Sequence, residues 1–255
     1  MPVLNTANKV MVGAQAASAV YLGTTKVWSS AFDPKSIAGL TVWLDAADVG
    51  TITTQWPDKS GTGHHGTIYA SPAPAVRTNA LNGLPVVRFT ANEGRIRASP
   101  CLPNTTLGPY NLTLVYVARM VGPNIGRIFT AAYPGANYLV GFHTSAYECM
   151  YDNGWVNPGV GWPALPTPWK MYGADGSHDG TNYSSQFFIN GVVSGTAASG
   201  GGFGALGWNV SGYDPTGTQE TCDGEVAELL IYDRKLSDAE RQQVEGYLRT
   251  KWGLP

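Results

Sequence analysis

Short apolar runs separated by turn-forming residues are the feature that most constrains the fold of this chain. Asn190-Gly191, a pair favoured in two-residue hairpin turns, is one of these separators. The regular spacing of the runs predicts an antiparallel sandwich of two facing sheets. The clearest runs are GLTVWLDA (39–46), GLPVVRFTA (83–91), YNLTLVYVARM (110–120), GRIFTAA (126–132), NYLVGFH (137–143), PWKMYGAD (168–175), SSQFFING (184–191) and GEVAELLIYDR (224–234).

The end of the chain is the one segment with helical chemistry. Ser237 and Glu240 have the spacing of a capping box, and Gly253 supplies a stop, so the pattern predicts a single terminal helix. The predicted buried side chains are Val244, Tyr247, Leu248 and Trp252, and the predicted solvent-facing ones are Arg241, Glu245 and Arg249.

The run before this helix, 224–234, is apolar on both faces, which predicts an interior strand covered on each side. Glu228 interrupts the apolar pattern. Because an unpaired glutamate is rarely buried, Glu228 is interpreted as a solvated edge position.

Composition supports a β-rich fold and excludes some partners. Charged residues make up only 13% of the chain, which contains 32 Gly, 13 Tyr and 8 Trp. A net charge of −2 provides no basic surface for nucleic acid. Neither a membrane-spanning apolar stretch nor a signal peptide is recognisable, so export by the ordinary route is not expected. The scattered Cys101, Cys149 and Cys222 are interpreted as reduced and mostly buried, although one pair could bridge after release from a cell.

The first thirty residues differ from the rest. KVMVG (9–13) and AVYLGTTKVW (19–28) form an imperfect repeat of a small hairpin unit. Such a segment cannot bury a core of its own, so residues 1–30 must pack on the main domain or on another chain, and docking on a partner is favoured. Residues 31–36 are interpreted as a linker, and residues 37–255 as the main domain.

Several motifs carry a resemblance to a known family. TVWLDAAD (41–48), WPDKSGTGHHGT (56–67), LNGLPVVRF (81–89) and the segment 224–254 resemble the laminin-G-like branch of the concanavalin A-like lectin/glucanase superfamily, which occurs in many phage and bacterial surface proteins. The resemblance covers residues 37–254. Separately, residues 1–30 resemble a short module at the front of tailed-phage virion proteins.

The resemblance implies an all-β, two-sheet antiparallel jelly roll whose first and last strands pair and whose closing helix packs on the sandwich. It also implies a module that binds sugars or proteins, although some relatives are glycosidases. Retaining glycosidases need two carboxylates about 5 Å apart. The acids Glu220, Asp223, Glu225 and Glu228 do not follow the alternation that would place such a pair on one strand, so no enzymatic activity is predicted.

Calcium is the one cofactor that the resemblance suggests, because many laminin-G-like domains hold an ion at the rim. Asp45, Asp48 and Asp58 are the candidate ligands, since they lie at strand ends or in loops. Aspartate is also common in turns for its local hydrogen bonding alone. The histidines, His143 among them, are isolated or lie in turns, and predict no metal site.

Candidate ligand-binding residues are aromatic rings beside amides and carboxylates in loop-like sequence. Flat rings suit the C–H face of a pyranose, while polar neighbours accept or donate to its hydroxyls. The alternative is that these rings cover the end of the sandwich or contact a neighbouring subunit. The candidates are Trp155, Trp162, Asp152 and Asn153 in the segment 147–172, which is interpreted as a long loop, and Trp208 and Tyr213 in GWNVSGYDPTG.

Two functions follow from these observations and the resemblance. In the first, the chain is a phage virion protein, a tail fibre, spike or head fibre, anchored through residues 1–30 and displaying a lectin-like domain that adheres to host-surface polysaccharide. In the second, it is a structural capsid or tail decoration whose sandwich contacts other virion proteins. Both place the protein on a virion assembled in host cytoplasm, and the resemblance implies a homo-oligomer such as a trimer. A bacterial surface adhesin is disfavoured by the missing export signal.

Overall fold

A computed structural model describes residues 11–12, 15–16, 19–22, 25–29, 32–98, 111–131, 137–152, 154–178, 181–197, 207–213 and 219–255. The chain divides into two compact units, Met1–Ser36 and Ile37–Pro255. In the described part of the chain, no helix is long and apolar enough to cross a membrane.

The first unit contains two antiparallel hairpins. β1 (Met11–Val12) pairs with β2 (Gln15–Ala16), and β3 (Ala19–Leu22) pairs with β4 (Thr25–Ser29). A short 3₁₀ turn, Pro34–Ser36, ends this unit.

The second unit is a sandwich of two antiparallel sheets, as the sequence predicts. Sheet I contains β5 (Leu40–Asp45), β8 (Ala75–Leu81), β9 (Leu84–Arg88), β11 (Leu112–Met120), β16 (Lys170–His178), β17 (Tyr183–Ile189), β18 (Val192–Ala197) and β20 (Gly224–Tyr232). Sheet II contains β6 (Gln55–Trp56), β7 (Gly66–Tyr69), β10 (Arg95–Ala98), β12 (Phe129–Ala131), β13 (Tyr138–His143), β14 (Ala146–Asp152), β15 (Trp155–Asn157) and β19 (Trp208–Val210).

The strand order in each sheet shows that the chain crosses repeatedly from one sheet to the other. Sheet I runs β18-β17-β16-β11-β20-β9-β8, and sheet II runs β15-β14-β13-β12-β19-β10-β7-β6. β5 pairs with one part of β20 and β9 with another, so the first and last strands of this unit pair as expected. A 3₁₀ turn, Ala46–Asp48, follows β5.

Aromatic side chains fill the space between the sheets. Tyr116 and Tyr172 of sheet I and Phe129 and Phe142 of sheet II are fully buried and in mutual ring contact. The Tyr116 hydroxyl donates to the carbonyl of Val140 at 2.5 Å, so the one polar atom of this ring has an acceptor in the opposite sheet.

The helix α1 (Asp238–Trp252) closes the outer face of sheet I. Ser237 and Glu240 form the predicted capping box, and Gly253 ends the helix with a left-handed φ of 64°. Val244, Leu248 and Trp252 are buried as predicted.

Two predictions about this region are wrong. Glu228 is fully buried rather than solvated, because the helix covers β20 and supplies partners for its carboxylate. Arg241 and Glu245 do not face solvent either. They pair with each other at 2.5 Å, and the Arg241 guanidinium lies 4.1 Å from the centre of the Phe188 ring, which shields it.

The Asn190-Gly191 turn joins β17 and β18 with positive φ at both residues, 51° and 82°, as a two-residue hairpin requires. The predicted long loop at 147–172 is instead largely strand at its start, since β14 and β15 occupy it. Cys149 and Cys222 are buried free thiols, and Cys101 lies outside the described residues.

Candidate functional site

An exposed indole stands at the end of sheet II. Trp155 opens β15, the terminal strand of that sheet, and is 45% exposed. Its ring meets those of Tyr151 and His143 edge to face, at centroid distances of 5.3 and 5.7 Å. Because two neighbouring rings contact the indole, it is held in place while keeping nearly half of its surface in solvent.

A row of polar groups continues from this indole. His143 Nε2 lies 3.7 Å from Glu220 Oε2, and Glu220 accepts from Arg127 Nε at 2.5 Å. The Arg127 guanidinium also donates to Asn137 Oδ1 at 2.6 Å. Its carbon lies 4.5 Å from the centre of the Tyr213 ring. Trp155 and Tyr213 are thus linked through an imidazole, a carboxylate and a guanidinium. We call Trp155, Tyr151, His143, Glu220 and Arg127 the Trp155 cluster.

A backbone hydrogen bond positions Arg127 and Glu220 next to each other. The Arg127 amide donates to the Glu220 carbonyl at 2.9 Å, although the two residues are far apart in sequence. Glu220 adopts a positive φ of 55°, a conformation that few non-glycine residues take. The carboxylate and guanidinium are therefore placed by the crossing of two loops rather than by one strand.

Trp162 packs against the strand end that carries His143. Its Nε1 donates to the carbonyl of His143 at 3.1 Å, and its half-buried ring packs on Phe142 and Tyr147. Trp162 therefore holds the end of β13, where His143 lies, and presents less free surface than Trp155.

The electrostatics of the cluster keep the imidazole neutral at pH 7. Burial lowers the pKa of His143 below its usual 6.5, Glu220 opposes this shift, and Arg127 adds to it. A neutral imidazole can both donate and accept, which suits a sugar hydroxyl.

A shallow depression of about 360 Å³ adjoins Glu220. Its lining is mostly polar. The residues around it are Ala91, Asn92, Pro123, Asn124, Ile125, Thr144, Glu220 and Thr221. Amide and hydroxyl groups next to the Trp155 cluster extend the surface that a polar ligand could contact.

Other predicted binding residues lie elsewhere. Trp208 is 1% exposed and belongs to the core between the sheets, because β19 is a short central strand of sheet II rather than a loop. Asp152 points into the sandwich, where Ser185 donates to its Oδ2. Neither side chain presents a surface to a ligand. Asn153 lies outside the described residues, and Tyr213 is half-buried.

The candidate calcium ligands are already matched to cations and amides. The Lys59 ammonium contacts both Asp45 and Asp48, and Lys251 lies 2.6 Å from Asp45. Asp58 accepts from backbone N–H groups of its own loop and from Trp43. A lysine ammonium takes the place that a divalent ion would need, so these residues do not fit a calcium site.

The acidic run near the chain end is also divided among separate partners. Asp223 accepts from the amides of Ala91 and Asn124, and Glu225 lies between Arg88 and Arg119 at 3.0 and 2.8 Å. Glu220 belongs to the Trp155 cluster. The run thus contributes to three different parts of the fold.

Sequence reasoning missed His143, Glu220 and Arg127 as partners of Trp155. His143 is isolated in the sequence, and Glu220 stands in a run of acids from which the fold separates it. Contacts between two loops and the end of β13 bring the three together, and no local sequence pattern reports those contacts.

No protein-family model matches the chain, and no curated protein matches it. Solved structures do match its fold. Domain 4 of AbnA, a GH43 extracellular arabinanase from Geobacillus stearothermophilus in complex with arabinotriose, is similar with a TM-score of 0.54 and 16% identity, over 82% of this chain and 97% of that one. A Trypanosoma rangeli sialidase in complex with sialic acid gives a TM-score of 0.53 and 15% identity over 97% of this chain and 36% of the sialidase.

The binding domain of botulinum neurotoxin DC, in complex with rat synaptotagmin II, gives a TM-score of 0.56 and 11% identity, over 85% of this chain and 52% of that one. The chain therefore spans about a third of the sialidase and about half of the toxin structure. At these identities the similarity establishes the jelly-roll fold and no activity.

Proposed function

We propose that this protein is a carbohydrate-binding component of a phage virion, which adheres to host-surface polysaccharide through the Trp155 cluster. The observation that carries the proposal is the 45% exposed Trp155 ring beside the His143 imidazole, which in turn lies next to Glu220. Such a ring stacks on the C–H face of a sugar, and the polar groups bind its hydroxyls.

The similar structures support this proposal by the ligands that they contain. Domain 4 of the arabinanase was solved with arabinotriose, and the sialidase with sialic acid. The virion context rests on the resemblance of residues 1–30 to a phage module, together with the division of the chain after Ser36.

The test is binding of the purified protein to polysaccharide extracted from the host surface, measured by calorimetry. We expect Trp155→Ala to weaken binding about fivefold, since the loss of a stacking ring costs on the order of 1 kcal/mol. Trp169→Ala is the matched control, because this half-buried ring contacts Arg119 of sheet I instead. Equal binding by wild type and Trp155→Ala would refute the assignment of the site.

A second function, decoration of the particle through protein contacts, is favoured by one observation. Val192 and Val193, on the terminal strand β18 of sheet I, are 69% and 50% exposed. Exposed apolar side chains on an end strand suit a protein interface. If decoration is the function, Val193→Asp will prevent incorporation into particles, whereas Trp155→Ala will alter neither adsorption nor incorporation.

A further inference from the structure

Arg95 is a buried arginine with no carboxylate beside it. It opens β10 in sheet II and is 5% exposed, and its Nε and Nη1 atoms are buried without a hydrogen-bond acceptor. Its ring contact is with Tyr69, directly opposite on β7, at 5.7 Å from the guanidinium carbon to the ring centroid.

Other arginines of the sandwich that are shielded from solvent have a carboxylate partner, which Arg95 lacks. Arg127, 4% exposed, pairs with Glu220, and Arg241, 7% exposed, pairs with Glu245. Arg88 pairs with Glu225. Among the described residues, Arg95 is left without such a partner, although a guanidinium stays charged at any physiological pH. A buried charge without a partner is costly, and an anion bound beside it would remove that cost.

A second arginine lies on the same face. Arg97, two residues further along β10, also has its guanidinium carbon 5.7 Å from the centre of the Tyr69 ring. Neither arginine forms an ion pair with an acidic side chain in the described part of the chain. Tyr69 itself is 38% exposed. Two positive groups therefore flank one accessible ring, which combines anion recognition with a surface for stacking.

Strand pairing relates this arrangement to the Trp155 cluster. Residues directly opposite in an antiparallel pair lie on the same face, and such pairs run from Arg97 across sheet II to Trp155. The pairs are Arg97–Asn209, Asn209–Thr130, Thr130–Leu139, Leu139–Tyr151 and Tyr151–Trp155. Five strand spacings separate the two ends by about 24 Å. Arg97 is half-buried and Trp155 is 45% exposed, so one polymeric ligand could contact both ends of this row.

We infer that Arg95, Arg97 and Tyr69 form a subsite for an anionic saccharide, whose carboxylate or phosphate accepts the guanidinium N–H groups while its ring lies on Tyr69. This inference rests on the proposed carbohydrate-binding function and specifies the class of sugar. Charge-assisted hydrogen bonds to a planar guanidinium are among the strongest polar contacts available for such selection.

The experiment compares acidic sugars with neutral counterparts of the same ring, by calorimetry on the full chain. The pairs are oligogalacturonate with its methyl ester, sialyllactose with its methyl ester, and glucose 6-phosphate with glucose. We expect at least one acidic member to bind ten times more tightly than its neutral counterpart. The first two pairs report a carboxylate and the third a phosphate.

Variants locate the effect. Arg95→Met and Arg97→Gln should each remove most of the preference for the acidic member, whereas Arg77→Gln, on β8 of sheet I, should leave it unchanged. Because Arg95 is buried, its replacement could unfold the protein, so the thermal stability of each variant is measured beside its binding. Arg97 is half-buried, and Arg97→Gln tests the subsite even if Arg95→Met does not fold.

Equal binding of acidic and neutral members would overturn the anionic subsite and leave the proposed function intact. A preference that survives both substitutions would overturn it as well. Binding of no acidic member would also overturn it, and the proposed function would then be judged separately by the effect of Trp155→Ala on host polysaccharide.

Discussion

Glu228 on β20 and Asp45 on β5 lie directly opposite one another in sheet I, and the ammonium of Lys251 joins them at 2.7 and 2.6 Å. The two indole N–H groups of Trp43 and Trp252 also donate to Glu228, at 2.6 and 2.7 Å. One buried carboxylate therefore ties the first strand, the last strand and the helix together.

Replacing Glu228 by alanine should lower the urea concentration at which the sandwich unfolds. The substitution takes away the acceptor of two indole N–H groups and of the Tyr247 hydroxyl, and it removes one of the two carboxylates that pair with Lys251. We expect this to lower the free energy of unfolding by about 3–5 kcal/mol. Urea titration followed by tryptophan fluorescence measures the loss. Asp238→Ala, at an exposed position of the same helix, should cost less than about 1 kcal/mol. A similar small loss for both variants would contradict this account of Glu228.

Asp152→Asn should stabilise the protein at neutral pH. Burial raises the pKa of Asp152 above its usual 3.8, and the Ser185 hydroxyl opposes the shift. A carboxyl with a raised pKa binds its proton more tightly when folded, so stability falls as pH rises from about 3.8 through the folded value. Asparagine removes this loss, and we expect a gain of about 1 kcal/mol at pH 7.

Ser185→Ala should act in the opposite direction at pH 7, because it removes the hydroxyl that donates to the Asp152 carboxylate. Thermal unfolding of both variants at pH 4 and pH 7 distinguishes them. If Asp152→Asn is destabilising by the same amount at both pH values, the interpretation of Asp152 as a costly buried charge fails.

The His143 imidazole should titrate below 6.5 and respond to its two charged neighbours in opposite ways. Removal of the carboxylate in Glu220→Gln should lower the pKa further, and removal of the guanidinium in Arg127→Gln should raise it. NMR titration of the ring protons reports the values. Because the folded pKa is depressed, this group's contribution to stability is present above pH 6.5 and is lost as pH falls through the folded value.

The segment 37–255 should fold without the first 36 residues. It forms a unit of its own that contains the aromatic core and the helix. We expect a truncated protein to keep its unfolding midpoint within about 2 °C of the full chain, consistent with a change below ~1 kcal/mol. The same protein should no longer join the particle if residues 1–30 anchor it. Recovery of the truncated protein on purified virions would contradict that anchoring role.

The sandwich and its helix could be predicted because the relevant signals are local. Alternation in GLTVWLDA and in the segment 110–120 is visible within one strand, and the capping box needs only Ser237 and Glu240. Strands such as β8, AVRTNAL, were not recognised because polar residues interrupt the alternation and the strand is largely exposed.

The candidate site was predictable only in part. Trp155 stands out as a large ring among polar residues, and it is indeed exposed. Trp208 has the same local surroundings and is buried, because its three-residue strand pairs with β10 and β12 on either side. The difference is decided by which distant strands flank each ring, and that information is absent from the neighbouring sequence.

The central position of β20 has a consequence for synthesis of the chain. This strand pairs with β11, β9 and β5, yet residues 224–232 are made after every other strand of the sandwich. On the ribosome, β5 and β11 must wait for a neighbour that emerges almost two hundred residues after β5. We therefore expect the main domain to acquire its native pairing only after the last turn of the helix has left the exit tunnel, with chaperones covering its apolar strands until then.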